Sequence, residues 1–372
     1  MRAIGIILAG GNNNRMRELS NKRAIAAMPI AGSYRSIDFA LSNMASSHIQ
    51  KVAVLTQYNA RSLNEHLSSS KWWDFGRKQV GLFVFTPTIT KENSLWYQGT
   101  ADAIYQNLQF LKSSHEPYVV IASGDCIYKM DYNKVLEYHI AKRADVTVVC
   151  TTCNDPNEIE RFGVLRMNED CRIEEFEEKP MVSSYNTIST GIYVIRRRQL
   201  IELIERAAQE GRHDFVQDIL IRYKNLKRIY GYKIDKYWSN ISTAEAYYKT
   251  NMDFLKPEIR NYFFKQEPTI KTKIDDLPPA KYNPGAQVKN SLVASGCIIN
   301  GTVENSVLFK DVFVGNNCVI KNSVILNNVY LGDNTHIENC IVESRDTIRA
   351  NSYYCGEGEV KIVVEKNDRY VL

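Results

Sequence analysis

A six-residue rhythm of aliphatic side chains runs through the last quarter of the chain and constrains its fold most strongly. The rhythmic positions, with one-residue slips after the fourth and the sixth, are Leu308, Val314, Ile320, Leu326, Leu331, Ile337, Val342 and Ile348. One inward aliphatic at each turn corner predicts a parallel β-helix, whose coils bury each other's faces. A β-sandwich is the alternative, although its strands would alternate every two residues. A solenoid also has open ends and a flat flank, which are natural oligomer surfaces.

The first 255 residues show a different pattern, in which short β-rich apolar runs alternate with helix-like segments. The clearest runs cover residues 4–8, 52–55, 118–121 and 146–149. This alternation predicts an α/β domain with a largely parallel sheet. Between Pro257 and Pro284 the chain turns irregular and polar, and Pro278-Pro279 disfavours both a helix and a central strand. We therefore predict domains at 1–255 and 286–372, joined by a connector at 256–285.

The amino-acid composition limits the cellular location and the classes of ligand that we expect for this protein. Lys and Arg number 47 against 42 Asp and Glu, a mild excess that is spread along the 372 residues and suits small anionic ligands better than nucleic acid. No stretch approaches the roughly 20 apolar residues of a membrane span. Among the eight cysteines only Cys150 and Cys153 form a C-x-x-C pair, so we expect reduced, structural thiols. We predict a cytoplasmic protein that binds neither nucleic acid nor membrane.

Two strand ends are the places where we expect chemistry. Gly10 and Gly11 follow the first strand, and Ser123-Gly124-Asp125 follow another. In open α/β sheets ligands bind beyond the carboxyl ends of the strands, so these segments should lie at one crevice. A glycine loop with a nearby arginine, here Arg15, can cradle phosphates. A tight strand-to-helix turn that needs positive φ is the alternative.

Several further motifs follow in a fixed order. They are Arg23-Ala24, residues 34–43 (YRSIDFALSN), 96–103 (WYQGTADA), 123–129 (SGDCIYK), 162–164 (FGV), 175–180 (EFEEKP) and 189–194 (STGIYV). Together they resemble glucose-1-phosphate adenylyltransferase, also called ADP-glucose pyrophosphorylase, over essentially the whole chain. The resemblance implies a Rossmann-like nucleotidyltransferase domain with a mostly parallel sheet, followed by a left-handed parallel β-helix. It also implies the reaction of ATP with glucose 1-phosphate to give ADP-glucose and pyrophosphate, in bacterial glycogen biosynthesis.

The same resemblance implies a set of ligand-binding residues. They are Gly10, Gly11, Arg15, Tyr97, Gln98, Gly99, Thr100, Asp125, Gly163, Glu178, Lys179 and Gly191. Tyr97 to Thr100 would border the adenine pocket, and Lys179 would contact the sugar phosphate, although a solvated surface pair with Glu178 is the alternative. The family requires Mg²⁺, for which Asp125 would be a weak ligand here. Oxygen ligands of this kind suit magnesium.

Three positions depart from the family pattern. Asn13 replaces the third glycine of the opening loop, Ile25 replaces a lysine, and Asn240 replaces the second metal-binding aspartate. Losing an ammonium and a carboxylate should cost transition-state stabilisation at a site where two polyanions meet. We therefore expect no fully functional catalytic residue set and doubtful Mg²⁺ binding.

Basic residues flanking the lost lysine remain. In the family Lys22, Arg23 and Arg35 would bind phosphorylated effectors, and a solvated positive face is the alternative. The resemblance therefore points to a GlgD-type regulatory subunit. Such a subunit forms a hetero-oligomer, a tetramer, with a catalytic ADP-glucose pyrophosphorylase subunit, and its regulation depends on a sugar-phosphate or nucleotide effector. A self-sufficient enzyme and a free-standing sugar-phosphate sensor remain the alternatives.

Overall fold

A computed structural model describes residues 2–11, 14–76, 81–88 and 96–365. The chain divides into two compact units. The first, called the sheet unit here, comprises Met1–Gly11, Phe39–Ala60 and Leu67–Trp238. The second, the β-helix unit, comprises Asn12–Asp38, Arg61–His66 and Ser239–Leu372. The β-helix unit thus includes N-terminal segments as well as the C-terminal region, while the sequence-based boundaries at 255 and 285 stay a prediction.

The sheet unit is built on nine strands, numbered here along the chain. They are β1 (Ala3–Leu8), β2 (Lys51–Leu55), β3 (Gly81–Phe85), β4 (Tyr118–Ser123), β5 (Val146–Thr152), β6 (Gly163–Met167), β7 (Ile173–Glu178), β8 (Thr187–Arg196) and β9 (Ile229–Lys233). Their order is β7-β6-β8-β4-β1-β2-β3, and β5 also pairs with β8 and carries β9 on its other edge. The strand β1 is parallel to β2 and β4, β2 to β3, and β5 to β9. The predicted mostly parallel sheet is confirmed, with β8 antiparallel to β4, β5 and β6, and β7 antiparallel to β6.

Helices cover the sheet and extend into the second unit. They are α1 (Ser36–Ser46), α2 (Arg61–Leu67), α3 (Thr100–Gln106), α4 (Leu108–Lys112), α5 (Tyr132–Ala141), α6 (Pro156–Ile159), α7 (Arg197–Gln209), α8 (Ala244–Asp253) and α9 (Pro257–Phe264). Helix α7 shows why these segments form. Its residues Leu200, Leu203, Ile204 and Ala207 recur at helical spacing and are buried in the core with β1 and β4, while its other face is polar.

The β-helix unit contains three parallel sheets, one for each face of the coil. The first face comprises Lys281–Tyr282, Ile298–Ile299, Phe313–Val314, Tyr330–Leu331 and Thr347–Ile348. The second face comprises Gln287–Lys289, Thr302–Glu304, Val319–Lys321, His336–Glu338 and Tyr353–Cys355. The third face comprises Leu292–Val293, Val307–Leu308, Val324–Ile325, Cys340–Val342 and Lys361–Val363. The predicted β-helix is therefore confirmed.

The register explains the slips in the six-residue rhythm. Val307 pairs with Val324 and Val324 pairs with Ile341, so each of these coils takes 17 residues rather than 18. One side of every such coil is therefore a residue shorter than the other two.

All eight rhythmic aliphatic residues have a solvent exposure of 0%. Seven of them belong to the core of the β-helix, but the prediction is wrong by one residue at Leu326, because Ile325 is the residue in register with Leu308 and Val342 in that core. Burial of these core side chains supplies the main apolar stabilisation of the solenoid.

Asparagines stabilise the corners of the coils. Asn317, Asn334 and Asn351 have φ angles of 54°, 58° and 62°. Asparagine adopts this left-handed conformation more readily than most residues. The Nδ2 of Asn317 donates to Oδ1 of Asn334 at 3.1 Å, and the Nδ2 of Asn334 donates to Oδ1 of Asn351 at 3.0 Å. The polar residues between the aliphatic positions therefore form ladders parallel to the β-helix axis.

The third face differs from the other two in its burial. Its second set of side chains, Val307, Val324 and Ile341, is as buried as the inward set. Helix α8 packs there, and the Tyr248 hydroxyl donates to the carbonyl of Asn322 at 2.6 Å. The outward side chains of the first and second faces are mostly half-buried or exposed. Two flanks of the β-helix unit are therefore open within the described chain.

All eight cysteines are free thiols, and five of them are buried. Burial raises the pKa of Cys150 to about 12, which keeps that thiol protonated and inert. None of the helices in the described residues combines the length and apolar character that crossing a membrane requires.

Candidate functional site

The two strand ends that carry the glycine loop and Asp125 are neighbours. Strands β1 and β4 pair in parallel through Leu8 and Ser123, and the amide of Gly124 donates to the Leu8 carbonyl at 2.9 Å. Gly10 and Gly11 therefore lie at the same sheet edge as Asp125. A Cβ on Gly11 would meet no atom of the described residues within 4 Å, so contacts with this part of the chain do not require glycine there. Asn12 and Asn13 lie outside the described residues.

Asp125 is half-buried and already has a close partner. The Ser123 hydroxyl donates to Asp125 Oδ1 at 2.5 Å, and the Cys126 thiol lies 3.4 Å from the same oxygen. Gly191 borders this corner with a left-handed φ of 74°, and a Cβ there would lie 3.4 Å from the Cβ of Ser123. The carboxylate is thus oriented by its own chain at the carboxyl end of β4.

The segment from Tyr97 to Thr100 reaches the same edge through Gln57, which follows β2. The Tyr97 amide donates to Gln57 Oε1 at 3.0 Å, and Gln57 Nε2 donates to the Tyr97 carbonyl at 3.3 Å. The Tyr97 ring is only 7% exposed, and its hydroxyl accepts from Asn107 at 2.9 Å. Burial raises the pKa of Tyr97. In the described structure this ring packs in the core.

The following residues start helix α3. The Gln98 amide donates to Asp102 Oδ2 at 2.8 Å, and the Thr100 hydroxyl accepts from the amide of Phe215 at 2.8 Å. A Cβ on Gly99 would lie 2.3 Å from the carbonyl oxygen of His213. Gly99 is therefore required by the close approach of two backbone segments.

Gly163 and Glu178 face each other across the β6–β7 pair, and Lys179 follows. A Cβ on Gly163 would lie 2.5 Å from the Phe176 ring, so glycine is again needed for packing. Lys179 Nζ lies 3.4 Å from Glu178 Oε1, and the side-chain exposures are 63% and 16%. Burial raises the pKa of Glu178 despite this neighbour. Lys179 also has a left-handed φ of 50°, which fixes where its backbone turns after β7.

A basic pocket lies within the β-helix unit. It has a volume of about 670 Å³. Its cationic lining residues are Lys22, Arg23, Arg35, Arg61, Lys273, Lys310 and Arg345. Three carboxylates also line it, from Glu65, Asp275 and Asp311. The excess of positive charge fits a small polyanion, since charge-assisted hydrogen bonds from Arg and Lys are the strongest contacts to phosphate.

Two of the three predicted effector residues are held by the walls of this pocket. Arg23 forms an ion pair with Glu343 at 2.5 Å and donates to the Ser344 hydroxyl at 3.1 Å. Arg35 donates through one guanidinium nitrogen to the Ser62 carbonyl and hydroxyl at 2.7 and 2.9 Å. Burial lowers the pKa of Arg35. These contacts preset both guanidinium groups before any ligand arrives.

A buried carboxylate supports the same wall. Asp38 accepts the Arg35 amide at 2.8 Å and contacts His66 Nε2 at 2.6 Å. Asp38 is fully buried, and the His66 side chain is 6% exposed. Helix α2 carries Ser62 and His66, so these contacts anchor it to the strand Tyr34–Arg35.

Comparison with known proteins agrees with this architecture. Residues 4–257 match the nucleotidyl transferase family, and residues 278–358 match the GlmU-like C-terminal hexapeptide family. The chain is 40% identical over 319 residues to the glucose-1-phosphate adenylyltransferase of Thermosipho melanesiensis, covering 85% of this chain and 77% of that protein. The chain belongs to the glucose-1-phosphate adenylyltransferase family. Enzymes of that name from Clostridium perfringens (40% identity, 85% and 81% coverage) and Geobacillus stearothermophilus (38%, 86% and 83%) are also similar.

Two departures from the glucose-1-phosphate adenylyltransferase pattern are visible in the structure. Ile25 lies in a short 3-10 turn, Ile25–Ala27, and is 5% exposed. The Oδ1 of Asn240 accepts from the amide and the hydroxyl of Ser242 at 3.0 and 2.5 Å. Within the β-helix unit, the Ile25 side chain is thus buried, and the Asn240 side chain is held by hydrogen bonds from Ser242. The third departure, Asn13, lies outside the described residues.

The two positions that the resemblance assigns to magnesium hold one carboxylate and one amide in this chain. The described ranges contain no group of three or more His, Cys, Asp or Glu side chains that could hold a metal ion. Asp125 offers one carboxylate, and its Oδ1 already accepts from Ser123. The amide oxygen of Asn240 carries no full charge and already accepts two hydrogen bonds. Magnesium prefers charged oxygen donors in near-octahedral geometry, so this pair of side chains fits the ion less well than two carboxylates would.

The sequence missed four cationic residues of the pocket. Arg61, Lys273, Lys310 and Arg345 come from helix α2, the connector and two coils of the β-helix. Lys310 pairs with Asp275 at 2.8 Å, and Lys273 donates to the Glu65 carbonyl at 3.3 Å. Nothing in their sequence neighbourhoods brings them together, since only the folded β-helix unit makes them adjacent. Arg15 belongs to this unit as well, in the exposed part of the 3-10 segment Asn14–Ser20.

Proposed function

We propose that this chain is a catalytically impaired regulatory subunit of ADP-glucose pyrophosphorylase. It would bind a phosphorylated small molecule in the basic pocket and modulate a catalytic subunit with which it forms a mixed tetramer. The observation that carries the proposal is the burial of Ile25, because the family resemblance places an active-site lysine at this position. A buried aliphatic side chain supplies no positive charge to a phosphate.

The reaction of the family explains why the loss of this lysine matters for catalysis. Glucose 1-phosphate attacks the α-phosphate of ATP, so negative charge accumulates between two polyanions. Fixed positive groups aimed at developing charge supply a large part of such catalysis, and removing one donor costs about 10²- to 10³-fold in rate. Asn240 adds to the deficit, because it removes one negative charge from the shell of the metal that would neutralise the phosphates.

The basic pocket supports the regulatory part of the proposal. Lys22, Arg23 and Arg35 line one cavity with four further cations, instead of spreading over a solvated face. Arg23 and Arg35 are oriented by Glu343 and Ser62. Pre-oriented guanidinium groups lose less conformational freedom when they bind phosphate. The arrangement therefore suits a sugar-phosphate or nucleotide effector.

Co-purification with an active family member from the same organism tests the proposal. We expect a mixed oligomer whose rate of pyrophosphate release changes when a hexose bisphosphate is added. Lys22→Ala should reduce that response and leave the basal rate and the assembly unchanged. Lys281→Ala, at another exposed lysine on the first face of the β-helix, is the matched control and should leave the effector response, the basal rate and the assembly unchanged.

A self-sufficient glucose-1-phosphate adenylyltransferase is the second candidate. It is favoured by the names of the relatives and by the presence of Asp125 and Lys179 at their family positions. Turnover of the isolated chain at the rate of an ordinary family enzyme would establish it and reject the regulatory proposal. Phosphate binding by the isolated chain, with no mixed oligomer and no change in the partner's rate, would favour a free-standing sensor instead.

A further inference from the structure

Asp275 reaches the basic pocket from the connector and places a carboxylate beside Lys310. Its Oδ2 accepts from Lys310 Nζ at 2.8 Å, and the lysine and aspartate side chains are 17% and 47% exposed. Lys310 is fixed in a coil of the β-helix, because its amide donates to Asn327 Oδ1 at 3.1 Å and its carbonyl accepts the Asn328 amide at 2.9 Å. A mostly buried ammonium group of the pocket is therefore neutralised by a residue from another segment.

The other two carboxylates that line the pocket are held differently. Glu65 pairs with Arg61 at 3.2 Å on helix α2, where the two side chains are 62% and 93% exposed. Asp311 lies at a coil corner with a φ of 56°, and its Oδ1 would lie 2.1 Å from a Cβ on Gly296. Asp311 is thus packed against the neighbouring coil. Among the three lining carboxylates, Asp275 is the one that pairs with a mostly buried lysine.

The segment 271–277, which we call the strap, is fixed at both ends. The Ile270 amide donates to a carbonyl of helix α9 at 3.1 Å, and the Pro278 carbonyl accepts an amide of the β-helix at 2.7 Å. Between these ends Lys273 donates to a carbonyl of helix α2 at 3.3 Å. The Thr272 hydroxyl is buried and has no hydrogen-bond partner among the described residues. An unpaired buried hydroxyl is unfavourable, so the strap gains little from its polar groups in this position.

Asp275 and a phosphate in the pocket would use the same positive charges. Partial burial opposes ionisation, yet the hydrogen bond and charge of Lys310, with the charges of Lys273 and Arg35, lower the pKa of Asp275. The carboxylate is therefore ionised at neutral pH and interacts with three of the seven lining cations. A phosphate dianion carries more charge and more acceptor oxygens than a carboxylate, so it is the stronger partner for the same ammonium group.

We propose that Asp275 is an internal competitor for the phosphate-binding groups of the basic pocket. Its carboxylate neutralises Lys310 and holds the strap in the position described. A bound phosphate takes Lys310 and releases the strap, so part of the gross binding free energy is spent on breaking the pair. This inference rests on the proposed function, since it requires that a phosphorylated ligand binds this pocket. It adds a residue that lowers the affinity and a segment whose position depends on occupancy.

Titration calorimetry with inorganic phosphate, at constant pH and ionic strength, tests the competition. Asp275→Asn keeps the size of the side chain and removes its charge, so we expect phosphate to bind about five- to twentyfold more tightly than to wild type. Asp276→Asn is the matched control. Asp276 is exposed and lies outside the pocket lining, so its substitution should change the affinity by less than about twofold. In a Lys310→Gln background, Asp275→Asn should improve binding less, because the shared ammonium group is absent.

Hydrogen exchange separates displacement of the strap from a simple change of charge. The Leu277 amide donates to the Asp275 carbonyl at 3.1 Å, and release of the strap should expose it. Phosphate should therefore speed exchange in residues 274–277 of the wild type, whereas ligands usually slow exchange where they bind. In Asp275→Asn the same amides should exchange fast without phosphate. Lys310→Gln breaks the pair from the other side and should have the same effect, which keeps the test valid if Asp275→Asn is poorly folded.

The contrary outcomes are distinguishable. Equal phosphate affinities of wild type, Asp275→Asn and Asp276→Asn would overturn the competition and leave the proposed function intact. Exchange in residues 274–277 that slows when phosphate binds to the wild type would overturn the release of the strap. No phosphate binding by the wild type or by any variant would overturn both this inference and the proposed ligand of the pocket.

Discussion

The guanidinium of Arg23 and the carboxylate of Glu343 form a buried ion pair 2.5 Å long, with side-chain exposures of 12% and 1%. Arg23 belongs to the N-terminal segment of the β-helix unit, and Glu343 belongs to a late coil. The Oε1 of Glu343 also accepts the Ser344 amide at 2.6 Å, while Oε2 has no hydrogen-bond partner among the described residues. One wall of the basic pocket thus depends on a contact between segments 320 residues apart.

Removing either partner of this pair should destabilise the fold strongly. Glu343→Ala leaves a desolvated guanidinium, and Arg23→Ala leaves a buried carboxylate with an already unpaired oxygen. We expect each variant to lose about 3 to 5 kcal/mol of unfolding free energy. The double variant should lose less than the sum, because neither charge is then left unpaired. Urea unfolding measures all four proteins. Strictly additive losses would show that the pair contributes nothing as a pair.

Asp346, in the same coil region, should make stability depend on pH. Burial, with a further contribution from Glu343, raises the pKa of Asp346 from 3.8 to about 6. The folded protein therefore keeps this proton at pH values where the unfolded chain has released it. Since the unfolded state then binds fewer protons, unfolding free energy falls as pH rises from about 4 to about 6, and the loss persists at neutral pH.

Asp346→Asn removes this titration and can keep the acceptor for the Glu365 amide, which donates to Asp346 Oδ2 at 3.0 Å. We expect the variant to be about 1 to 3 kcal/mol more stable than wild type at neutral pH and equally stable near pH 4. Urea unfolding across this range, compared between the two proteins, isolates the contribution from other carboxylates. A difference that does not change with pH would contradict the assignment.

The β-helix was predictable because its signal is periodic and local. The burial of Leu308, Val314 and Ile320 follows from the six-residue rhythm alone. The 17-residue coil also explains the slips, which looked irregular in the sequence. The parallel sheet was predictable for the same reason, since apolar runs such as residues 4–8 and 118–121 end in glycines and polar residues.

The position of a site residue was predictable only where that residue follows one of the strands that pair in the sheet. Gly10 and Asp125 follow adjacent strands, so their proximity could be inferred from topology. Arg61 and Lys310 could not be placed in the pocket, because their adjacency arises from tertiary packing. The sequence also gave no sign that Gly99 is needed for packing against His213. The ligand-binding roles of these residues stay predictions.

Gly99→Ala should destabilise the sheet unit for a steric reason. The new Cβ would lie 2.3 Å from the His213 carbonyl oxygen, which accepts the Ala101 amide at 2.8 Å at the start of helix α3. Backbone must therefore shift, at a cost of about 1 to 3 kcal/mol or more. The thermal midpoint should fall measurably. Gly76→Ala is the control, since its Cβ would meet no atom of the described residues within 4 Å. Equal effects of the two substitutions would contradict the packing role.

Restoring the family residues should recover catalysis if the three substituted positions are the only cause of the impairment. The triple variant Asn13→Gly, Ile25→Lys and Asn240→Asp returns the glycine, the ammonium and the carboxylate together. Because one positioned donor accounts for about 10²- to 10³-fold in rate, we expect ADP-glucose formation by the isolated chain to rise at least about a hundredfold. Ile25→Lys should also cost stability, since the position is 5% exposed. Unfolding curves must therefore accompany the rates. A folded triple variant with unchanged activity would place the cause of impairment elsewhere in the chain.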